Sequence, residues 1–449
     1  MERYVDITAF GAKEGTGQVC TAEIQSAIDE ANRLGGATVL VPPGTFVTGT
    51  LLLGGASLHL MRGAVLKGSP NLADYRPCGY RHNEMGDVLP LICSMESSGV
   101  RLSGQGTIDL NGDPFFDFSL ETLAGRHRGL TEEELLECPA EHGARPNQPI
   151  FFYRCTNVAV EGLTLINAPC WTLTFVECSQ VRLTDLNIDN SLRIPNNDGV
   201  HFCGCRDVLV RGCVITSGDD CIALSGITDW DVPCENVVIS DCILTSRSKA
   251  IVIGYMHSIV RDVCVSNVVI RGSNRGICIM ASAGTGLVEH VAVSNVRLDT
   301  RVPAGHWWGN GEPILLMATW HHFDNYDLPA PNRSFPVSIS DVHIHQAVCT
   351  GENAIGIVGQ RGNIDGVRLT GLSVRLKDSE RLHLKGRVLD ISPSAGEARL
   401  PEEPCWLLVQ EARHVAVEAV VAKTDHGSSP VAVVRDCQDC EIHVNGEIG

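Results

Sequence analysis

The strongest constraint on the fold is a nine-residue pattern that recurs six times in the middle of the chain. Each copy alternates apolar and polar residues, bends at a small or polar residue, and continues into a second short apolar stretch. Successive copies start 23, 27, 29, 26 and 28 residues apart, at Asn157, Gln180, Asp207, Asn236, Asp262 and His290. Such a unit cannot bury its own apolar face, so neighbouring copies must stack. The polar residue that opens each copy is expected to form a turn.

A period of about 25 residues with no helical segment inside it indicates stacked β coils. Helical solenoids and α/β barrels need a helix in every unit, which these copies lack. We therefore predict an all-β fold, a parallel β-helix that occupies residues 1–449 as a single domain. The composition agrees, because 45 glycines and only 5% aromatic residues suit a stack of small, tightly turned units.

Three segments depart from the repeat. The first is a predicted amphipathic helix that begins after Thr21 and ends before Gly35-Gly36. Its apolar residues recur at helical spacing: Ile24, Ala27, Ile28 and Ala31. We expect this helix to cap the N-terminal end of the stack. Residues 113–149 form a first excursion, in which Thr131-Glu-Glu-Glu is expected to open a helix. A second excursion covers about 302–334 and holds Trp320 among other aromatic residues. Excursions from a rigid stack are where binding groups usually lie.

Charge and cysteine content narrow the class of protein. The net charge of −18 argues against nucleic acid, for which a basic stripe is expected. We find neither a signal-peptide pattern at the start nor an apolar run of the roughly 18 residues that a membrane span needs. The 19 cysteines then fit a cytoplasmic protein with free, buried thiols. Cys203-Gly-Cys205 is a close pair that zinc can use, but free thiols are the favoured interpretation, and no metal or cofactor is expected.

Two acidic clusters carry the clearest chemical signal. Asn196-Asn197-Asp198-Gly199 precedes Ser217-Gly218-Asp219-Asp220-Cys221 by about one coil, since Asp220 comes 22 positions after Asp198. Coils stack at roughly 4.8 Å, so residues one coil apart meet side by side. Carboxylates that share a small patch raise each other's pKa, and one can hold a proton while another stays ionised. Glycosidic bond cleavage needs that division of labour; the alternative is that these residues only form turns.

With these clusters in place, the chain resembles the family 28 glycoside hydrolases, the polygalacturonase family of right-handed parallel β-helices. The resemblance runs from Asp6 to about residue 300 and includes Gly104-Gln-Gly-Thr-Ile-Asp-Leu-Asn-Gly112 and Asn167-Ala-Pro-Cys-Trp171. Its most specific part is an Asn-x-Asp one coil before a Gly-Asp-Asp. The resemblance implies that Asp219 is the general acid, and that Asp198 and Asp220 activate water for an inverting displacement.

Two motifs of that family are missing. Ser248-Lys249-Ala250 stands where a Gly-His-Gly is expected, and Cys278-Ile279-Met280 where an Arg-Ile-Lys is expected. In polygalacturonases the basic pair of the Arg-Ile-Lys motif binds the galacturonate carboxylate. Whether the substrate of this chain is a uronide is therefore left open. Lys249 and Arg275 lie one coil apart and are candidates for a replacement positive patch. The alternative is that both are solvated residues at turns.

Further candidates for substrate binding come from the second excursion and the first acidic cluster. Trp307 and Trp308 can stack against sugar rings, and Glu312 can bind sugar hydroxyls, unless this loop packs its aromatic residues back onto the β-helix. Asn197 belongs to the first acidic cluster, and His201 closely follows it. His321-His322 is expected at the loop surface rather than at a metal ion.

Together these features predict an intracellular glycoside hydrolase, exo-acting and inverting, that cleaves short, pectin-like oligosaccharides of plant or microbial origin. Exo-action is expected because the second excursion is long enough to close one end of the groove. Two alternatives stay open. One is a β-helix lyase or epimerase that holds Ca²⁺ with clustered aspartates and uses Lys249 or Arg275 as its base. The other is a non-catalytic carbohydrate-binding β-helix.

Overall fold

The computed structural model describes residues 3–83, 85–226, 231–282, 286–305, 307–318, 337–379, 405–425 and 431–444. Over this part the chain forms the predicted right-handed parallel β-helix. The helices are α1 (Thr21–Arg33), α2 (Leu120–Arg126) and α3 (Glu132–Leu135), and short 3₁₀ turns cover Ile7–Phe10, Leu72–Asp74 and Asp113–Phe115.

The strands of the first half of the chain are β1 (Tyr4–Asp6), β2 (Gly15–Val19), β3 (Thr38–Val41), β4 (Gly44–Thr48), β5 (Leu51–Leu52), β6 (Ser57–Leu60), β7 (Ala64–Gly68), β8 (Arg81–His82), β9 (Gly86–Asp87), β10 (Ile92–Met95), β11 (Arg101–Gly104), β12 (Thr107–Asp109), β13 (Phe116–Asp117), β14 (Glu141–His142), β15 (Ile150–Tyr153), β16 (Thr156–Glu161), β17 (Thr164–Ile166), β18 (Leu173–Val176), β19 (Ser179–Thr184), β20 (Asn187–Asp189), β21 (Val200–Cys203) and β22 (Arg206–Arg211). Those of the second half are β23 (Val214–Ser217), β24 (Ile222–Ser225), β25 (Cys234–Ser240), β26 (Ile243–Ser246), β27 (Lys249–Ile253), β28 (Ile259–Ser273), β29 (Arg275–Ala281), β30 (Leu287–Thr300), β31 (Ile314–Ala318), β32 (Ser338–Gly351), β33 (Ile355–Val358), β34 (Ile364–Thr370), β35 (Ser373–Leu376), β36 (Leu407–Gln410), β37 (Ala412–Thr424), β38 (Ala432–Arg435) and β39 (Glu441–Val444).

Each coil contributes to three sides of the stack, which we call faces A, B and C. Face A joins parallel neighbours from β1 through β16, β19 and β22 to β39, and face B runs from β2 through β17, β20 and β23 to β35. The long strand β28 bends from one face into the other, pairing with β25 on face A and β26 on face B. Face C is a twelve-stranded sheet in the order β5, β10, β15, β18, β21, β24, β27, β29, β31, β33, β36, β38.

The corners of the coils explain why the repeat has its sequence. The opening residue of every copy has a left-handed backbone, with φ between 54° and 57°: Asn157, Gln180, Asp207, Asn236, Asp262 and His290. The sixth residue of every copy is also left-handed, with φ between 51° and 73°: Gly162, Asp185, Gly212, Asp241, Asn267 and Asn295. Gly, Asn and Asp tolerate this conformation best. The corner side chains also ladder along the stack, as Asn295 Nδ2 donates to Asn267 Oδ1 at 2.8 Å.

Inside the stack, like side chains pack on like. Phe152, Phe175 and Phe202 occupy equivalent positions of β15, β18 and β21, and their ring centroids lie 5.0 and 5.2 Å apart in stacked geometry. All 19 cysteines are free and 15 of them are buried. Cys205 belongs to the inner core, whereas Cys203 packs in a separate cluster on the outer side of face C. These two thiols therefore do not present a common site.

The predicted cap and the first excursion are present. Helix α1 buries all four apolar residues that were expected to face the stack, Ile24, Ala27, Ile28 and Ala31. Within residues 113–149, α3 begins at the predicted place, where Thr131 and Glu134 form a reciprocal capping box. The structure describes only 302–305 and 307–318 of the second excursion, so Trp320 and His321-His322 lie outside the described residues. No helix of the described part is long and apolar enough to span a membrane.

Candidate active site

The three aspartates lie at the corner where face B turns into face C. Asp198 follows β20 and precedes β21, while Asp219 and Asp220 lie between β23 and β24. Strands β21 and β24 pair in register, so the corners that precede them are stacked neighbours. The three residues are 3%, 6% and 9% exposed, respectively. One-coil spacing therefore brings the three carboxyl groups into one pocket, as expected from the sequence.

This pocket encloses about 540 Å³ of space, counting its open mouth. Its lining combines the three aspartates with other polar residues and with apolar or aromatic ones. The polar residues are Asn196, His201, Ser225 and Lys249, and the others are Trp171, Ala223, Val252, Gly254, Tyr255 and Trp308. Of the binding residues predicted from the sequence, His201, Lys249 and Trp308 line this pocket, whereas Asn197, Arg275, Trp307 and Glu312 do not.

Asp219 is placed to hold a proton. Burial, and then the negative charges of Asp220 and Asp198, raise the pKa of the Asp219 carboxyl well above its ordinary value. The ammonium group of Lys249 and a hydrogen bond from Ser248 work in the opposite direction and do not outweigh these effects. A carboxyl group in this state can donate a proton near neutral pH.

The amide side chains of the first cluster fix the position of Asp219. Asn197 Oδ1 accepts from the backbone N–H groups of Gly218 and Asp219 at 2.6 and 3.2 Å. The backbone N of Asn196 donates to Asp219 Oδ2 at 3.2 Å. Gly218 permits this close approach, because a Cβ there would come 2.2 Å from the carbonyl oxygen of Ile194. Asn197 therefore holds the loop that carries Asp219 and does not line the pocket.

The other two carboxyl groups each have a nitrogen partner. Asp220 Oδ1 accepts from the backbone N of Lys249 at 3.0 Å and lies 3.3 Å from its Nζ. Asp198 Oδ2 lies 3.1 Å from His201 Nδ1. The pocket thus contains one carboxyl group that favours its protonated form and two more that have nitrogen partners at hydrogen-bonding distance.

His201 is held on three sides. Its Nε2 lies 2.8 Å from Ser225 Oγ, and its ring stacks on Trp171 with centroids 3.9 Å apart. Trp171 is in turn covered by His82, whose ring meets it edge-on at 4.9 Å. This packing fixes the imidazole beside Asp198. The sequence signal for Trp171 was present in the Asn167-to-Trp171 segment, whereas nothing in the repeat pointed to His82.

Arg275 and Glu312 form a buried ion pair behind the pocket. Arg275 pairs in register with Lys249, as predicted, but its side chain is fully buried. Its Nε and Nη2 donate to Glu312 Oε2 and Oε1 at 2.9 and 3.2 Å. Burial opposes ionisation of Glu312, but the charge and hydrogen bonds of Arg275 hold the pKa of that carboxyl below its ordinary value. The expected contacts of these two side chains with sugar are replaced by contacts with each other, because a buried guanidinium needs a charged partner.

Trp307 and Trp308 of the second excursion have different environments. Trp307 is nearly buried and its Nε1 donates to the backbone oxygen of Glu137 at 2.9 Å, whereas Trp308 lines the pocket. The Glu137 carboxylate accepts from Arg301 Nη2 at 2.7 Å and from the backbone N of Ala304 at 3.0 Å. Burial opposes this ionisation, but these hydrogen bonds lower the pKa of Glu137 to about 2. The first excursion thus anchors the second, a contact that sequence reasoning missed.

A hairpin that the repeat did not predict covers face C on the N-terminal side of the pocket. It consists of β8 and β9 and is held by Asn147, whose Nδ2 donates to two hairpin carbonyl groups. Phe151 points outward from face C, since its neighbour Phe152 points into the core. Phe151 is nevertheless fully buried, because Tyr80 of the hairpin segment packs over it with ring centroids 5.2 Å apart. The hairpin therefore forms a wall over the coils that precede the catalytic corner.

Comparisons with known proteins agree with this architecture. Among curated relatives, a "Probable polygalacturonase" of Vitis vinifera is 27% identical over 346 residues, which are 72% of this chain and 64% of that protein. The "Exo-poly-alpha-D-galacturonosidase" of Dickeya chrysanthemi is 24% identical over 326 residues, 64% of this chain and 54% of that protein. The chain therefore spans less than two thirds of the length of these relatives.

Solved structures share the fold at low sequence identity. The family 28 exopolygalacturonase of Yersinia enterocolitica superposes with a TM-score of 0.74 at 18% identity, over 100% of this chain and 79% of that one. A hyperthermoactive exopolygalacturonase from Thermotoga maritima gives 0.62 at 20% identity, over 84% and 88%. Residues 40–304 match the family described as "Glycosyl hydrolases family 28", which is more than half of the chain. On this match, and with the β-helix and its acidic corner in place, the chain belongs to glycosyl hydrolase family 28.

Proposed function

We propose that the protein hydrolyses glycosidic bonds by a single inverting displacement. The observation that carries the proposal is the pocket in which Asp219, with its raised pKa, lies beside Asp198 and Asp220. Asp220 accepts from the backbone N–H of Lys249, and Asp198 lies 3.1 Å from His201 Nδ1. Glycoside hydrolysis requires a proton donor for the leaving oxygen and a second carboxylate. The pocket supplies both from one corner of the fold.

In this scheme the bond between the anomeric carbon and the leaving oxygen breaks as Asp219 transfers its proton to that oxygen. A water molecule attacks the anomeric carbon from the opposite face, and Asp198 or Asp220 accepts the proton that the water loses. His201 and Lys249 keep these two carboxylates in place. The product then has the inverted anomeric configuration, and a further proton exchange with solvent restores Asp219.

The shape of the pocket supports exo-action on short oligosaccharides. The hairpin that carries His82 covers the outer side of face C next to Trp171, and Trp308 lines the pocket from the second excursion. A site bounded in this way favours the end of a sugar chain over its middle. The names of the relatives, polygalacturonase and exo-poly-alpha-D-galacturonosidase, support pectin-like oligosaccharides as the substrate class.

An intracellular location is part of the proposal. It is supported by the 19 free cysteines, 15 of them buried, because free thiols persist in a reducing compartment. Fractionation of the producing cells, followed by immunodetection, tests this point. Recovery of the protein from the culture medium would contradict it.

The catalytic proposal is tested by Asp219→Asn. We expect this variant to fold and to lose activity by about 10²–10⁴-fold, the usual contribution of a general acid. Asp185→Asn is a matched control, because Asp185 is an exposed, left-handed corner residue at which Asn is tolerated. Equal activity of the wild-type protein and Asp219→Asn would exclude the assigned role.

Product analysis tests the mode of attack. Nuclear magnetic resonance of the first product should show an inverted anomeric centre, and chromatography should show one small unit released at a time. A retained configuration contradicts the displacement, and a broad ladder of intermediate lengths contradicts exo-action. An unsaturated, ultraviolet-absorbing product that disappears with a chelator would instead indicate a lyase.

A further inference from the structure

The charges that line the pocket determine which sugar it accepts, an inference that rests on the proposed function. Three carboxyl groups and one ammonium group belong to the lining, from Asp198, Asp219, Asp220 and Lys249. Even with Asp219 protonated, the other two aspartates outnumber the single ammonium group. That group is already engaged, as Lys249 Nζ lies 3.3 Å from Asp220 Oδ1 and 3.1 Å from Ser248 Oγ. With the His201 imidazole counted as well, the lining holds three acidic side chains against two basic ones.

Neighbouring arginines are directed to other partners. Arg275 is one strand along from Lys249, but its charge is compensated by the bidentate contact with Glu312. Arg247 Nη2 points to the Glu137 carboxylate at 3.7 Å. Arg145 Nη1 donates to the carbonyl oxygens of Pro169 and Pro195, and its Nη2 donates to Asn196 Oδ1 at 3.1 Å. None of these guanidinium groups lines the pocket.

One part of the pocket floor on face C is apolar. Ala223 and Val252 both line it, and they pair with each other across β24 and β27. Val252 pairs in turn with Cys278 of β29, which continues this row of side chains along face C. All three residues belong to one buried apolar cluster on this face. Burying a carboxylate against aliphatic carbon is costly unless a cation pairs with it. The C–H groups of a neutral sugar, in contrast, gain from such contact.

We propose that the sugar unit held beside Asp219 is a neutral glycosyl residue, a hexose, deoxyhexose or pentose without a carboxylate. Its less polar edge lies against Ala223 and Val252, where a uronate would bring an uncompensated negative charge. A uronic acid unit in the same oligosaccharide is accommodated beyond the cleaved bond, outside the pocket.

The first experiment compares matched substrates that differ only in charge. One pair is α-1,4-linked trigalacturonate and its carboxyl-reduced counterpart. A panel of 4-nitrophenyl glycosides extends it to neutral hexoses, 6-deoxyhexoses and pentoses in both anomers, together with the corresponding uronides. We expect the best neutral substrate to exceed every uronide in kcat/KM by on the order of 100-fold, since like charges brought together in an interface are strongly disfavoured.

The outcomes separate the inference from the proposed function. Faster cleavage of uronides than of all neutral glycosides overturns the neutral-sugar inference and leaves the hydrolase proposal intact. No cleavage of any substrate overturns the hydrolase proposal, and the inference falls with it.

A charge introduced at the floor provides a second, independent test. Val252→Lys adds an ammonium group to the apolar wall, and Val252→Met is its matched control, because Met is also long and unbranched but carries no charge. The ratio of uronide to neutral-sugar kcat/KM should rise by about tenfold or more in Val252→Lys relative to Val252→Met. Equal ratios in the two variants would refute the electrostatic explanation.

Discussion

Removing the carboxylate of Glu312 separates a structural role of this side chain from a role in binding sugar. Glu312→Gln keeps the shape of the side chain but removes the carboxylate that pairs with the buried guanidinium of Arg275. Breaking a buried ion pair from one side typically costs about 3–5 kcal/mol, because the remaining charge stays in the interior. For 449 residues, an unfolding entropy of roughly 2.1 cal/mol/K per residue converts about 4 kcal/mol into a fall of about 4 °C in the unfolding midpoint.

Differential scanning calorimetry at pH 7 measures this shift. Asp425→Asn is the matched control, since Arg375 donates to both oxygens of Asp425 at 3.0 and 3.1 Å but this pair lies at the surface. We expect no measurable change from it, because exposed ion pairs contribute little. Activity per folded molecule should persist in Glu312→Gln. A variant that keeps its midpoint and loses activity would refute the ion-pair explanation and indicate that Glu312 binds substrate.

Further predictions concern titration and thiol chemistry. The difference in unfolding free energy between wild type and Glu312→Gln should be at its maximum above pH 4.5, the ordinary pKa of this carboxyl. It should vanish as the pH falls through the lowered pKa of Glu312, and calorimetry across pH measures this loss. Lys249→Met should shift the alkaline limb of the pH–rate profile to higher pH. Lys249 lowers the pKa of Asp219, and the general acid acts in its protonated form, so removing the ammonium group keeps Asp219 protonated to higher pH. A shift to lower pH would contradict this reasoning. Titration of the native protein with a thiol reagent should detect at most four accessible cysteines, of which Cys264 is the most exposed. Denaturation without reductant should expose the 15 buried cysteines as well. Native disulfides would contradict the intracellular proposal.

The coil architecture could be predicted because its cause is local. A left-handed corner is costly for most residues, so Asn, Asp and Gly recur at the first and sixth positions of each copy, for example at Asn236 and Asp241. Between the corners, alternation of apolar and polar residues determines which side chains face the core. These two signals were sufficient for the period, the strand positions and the stacked acidic corners.

The contacts made by the excursions could not be predicted in this way. The repeat correctly placed Arg275 beside Lys249, since their strands pair in register. It could not determine the direction of the guanidinium, because the partner Glu312 enters from an excursion 37 residues later along the chain. The same limit applies to Trp307 and its anchor Glu137, which are 170 residues apart and joined only by tertiary packing.

The two proposals place chemistry and sugar selection on different parts of the coils. The aspartates lie at corner turns, where backbone conformation and amide contacts such as those of Asn197 hold them. The floor residues Ala223 and Val252 lie within strands, at positions whose neighbours along the strand point into the core. An outward side chain of a strand can change without altering the register of the sheet or the corner before it. We therefore expect the identity of the accepted sugar to change through substitutions on the floor, while the same acidic corner continues to perform hydrolysis.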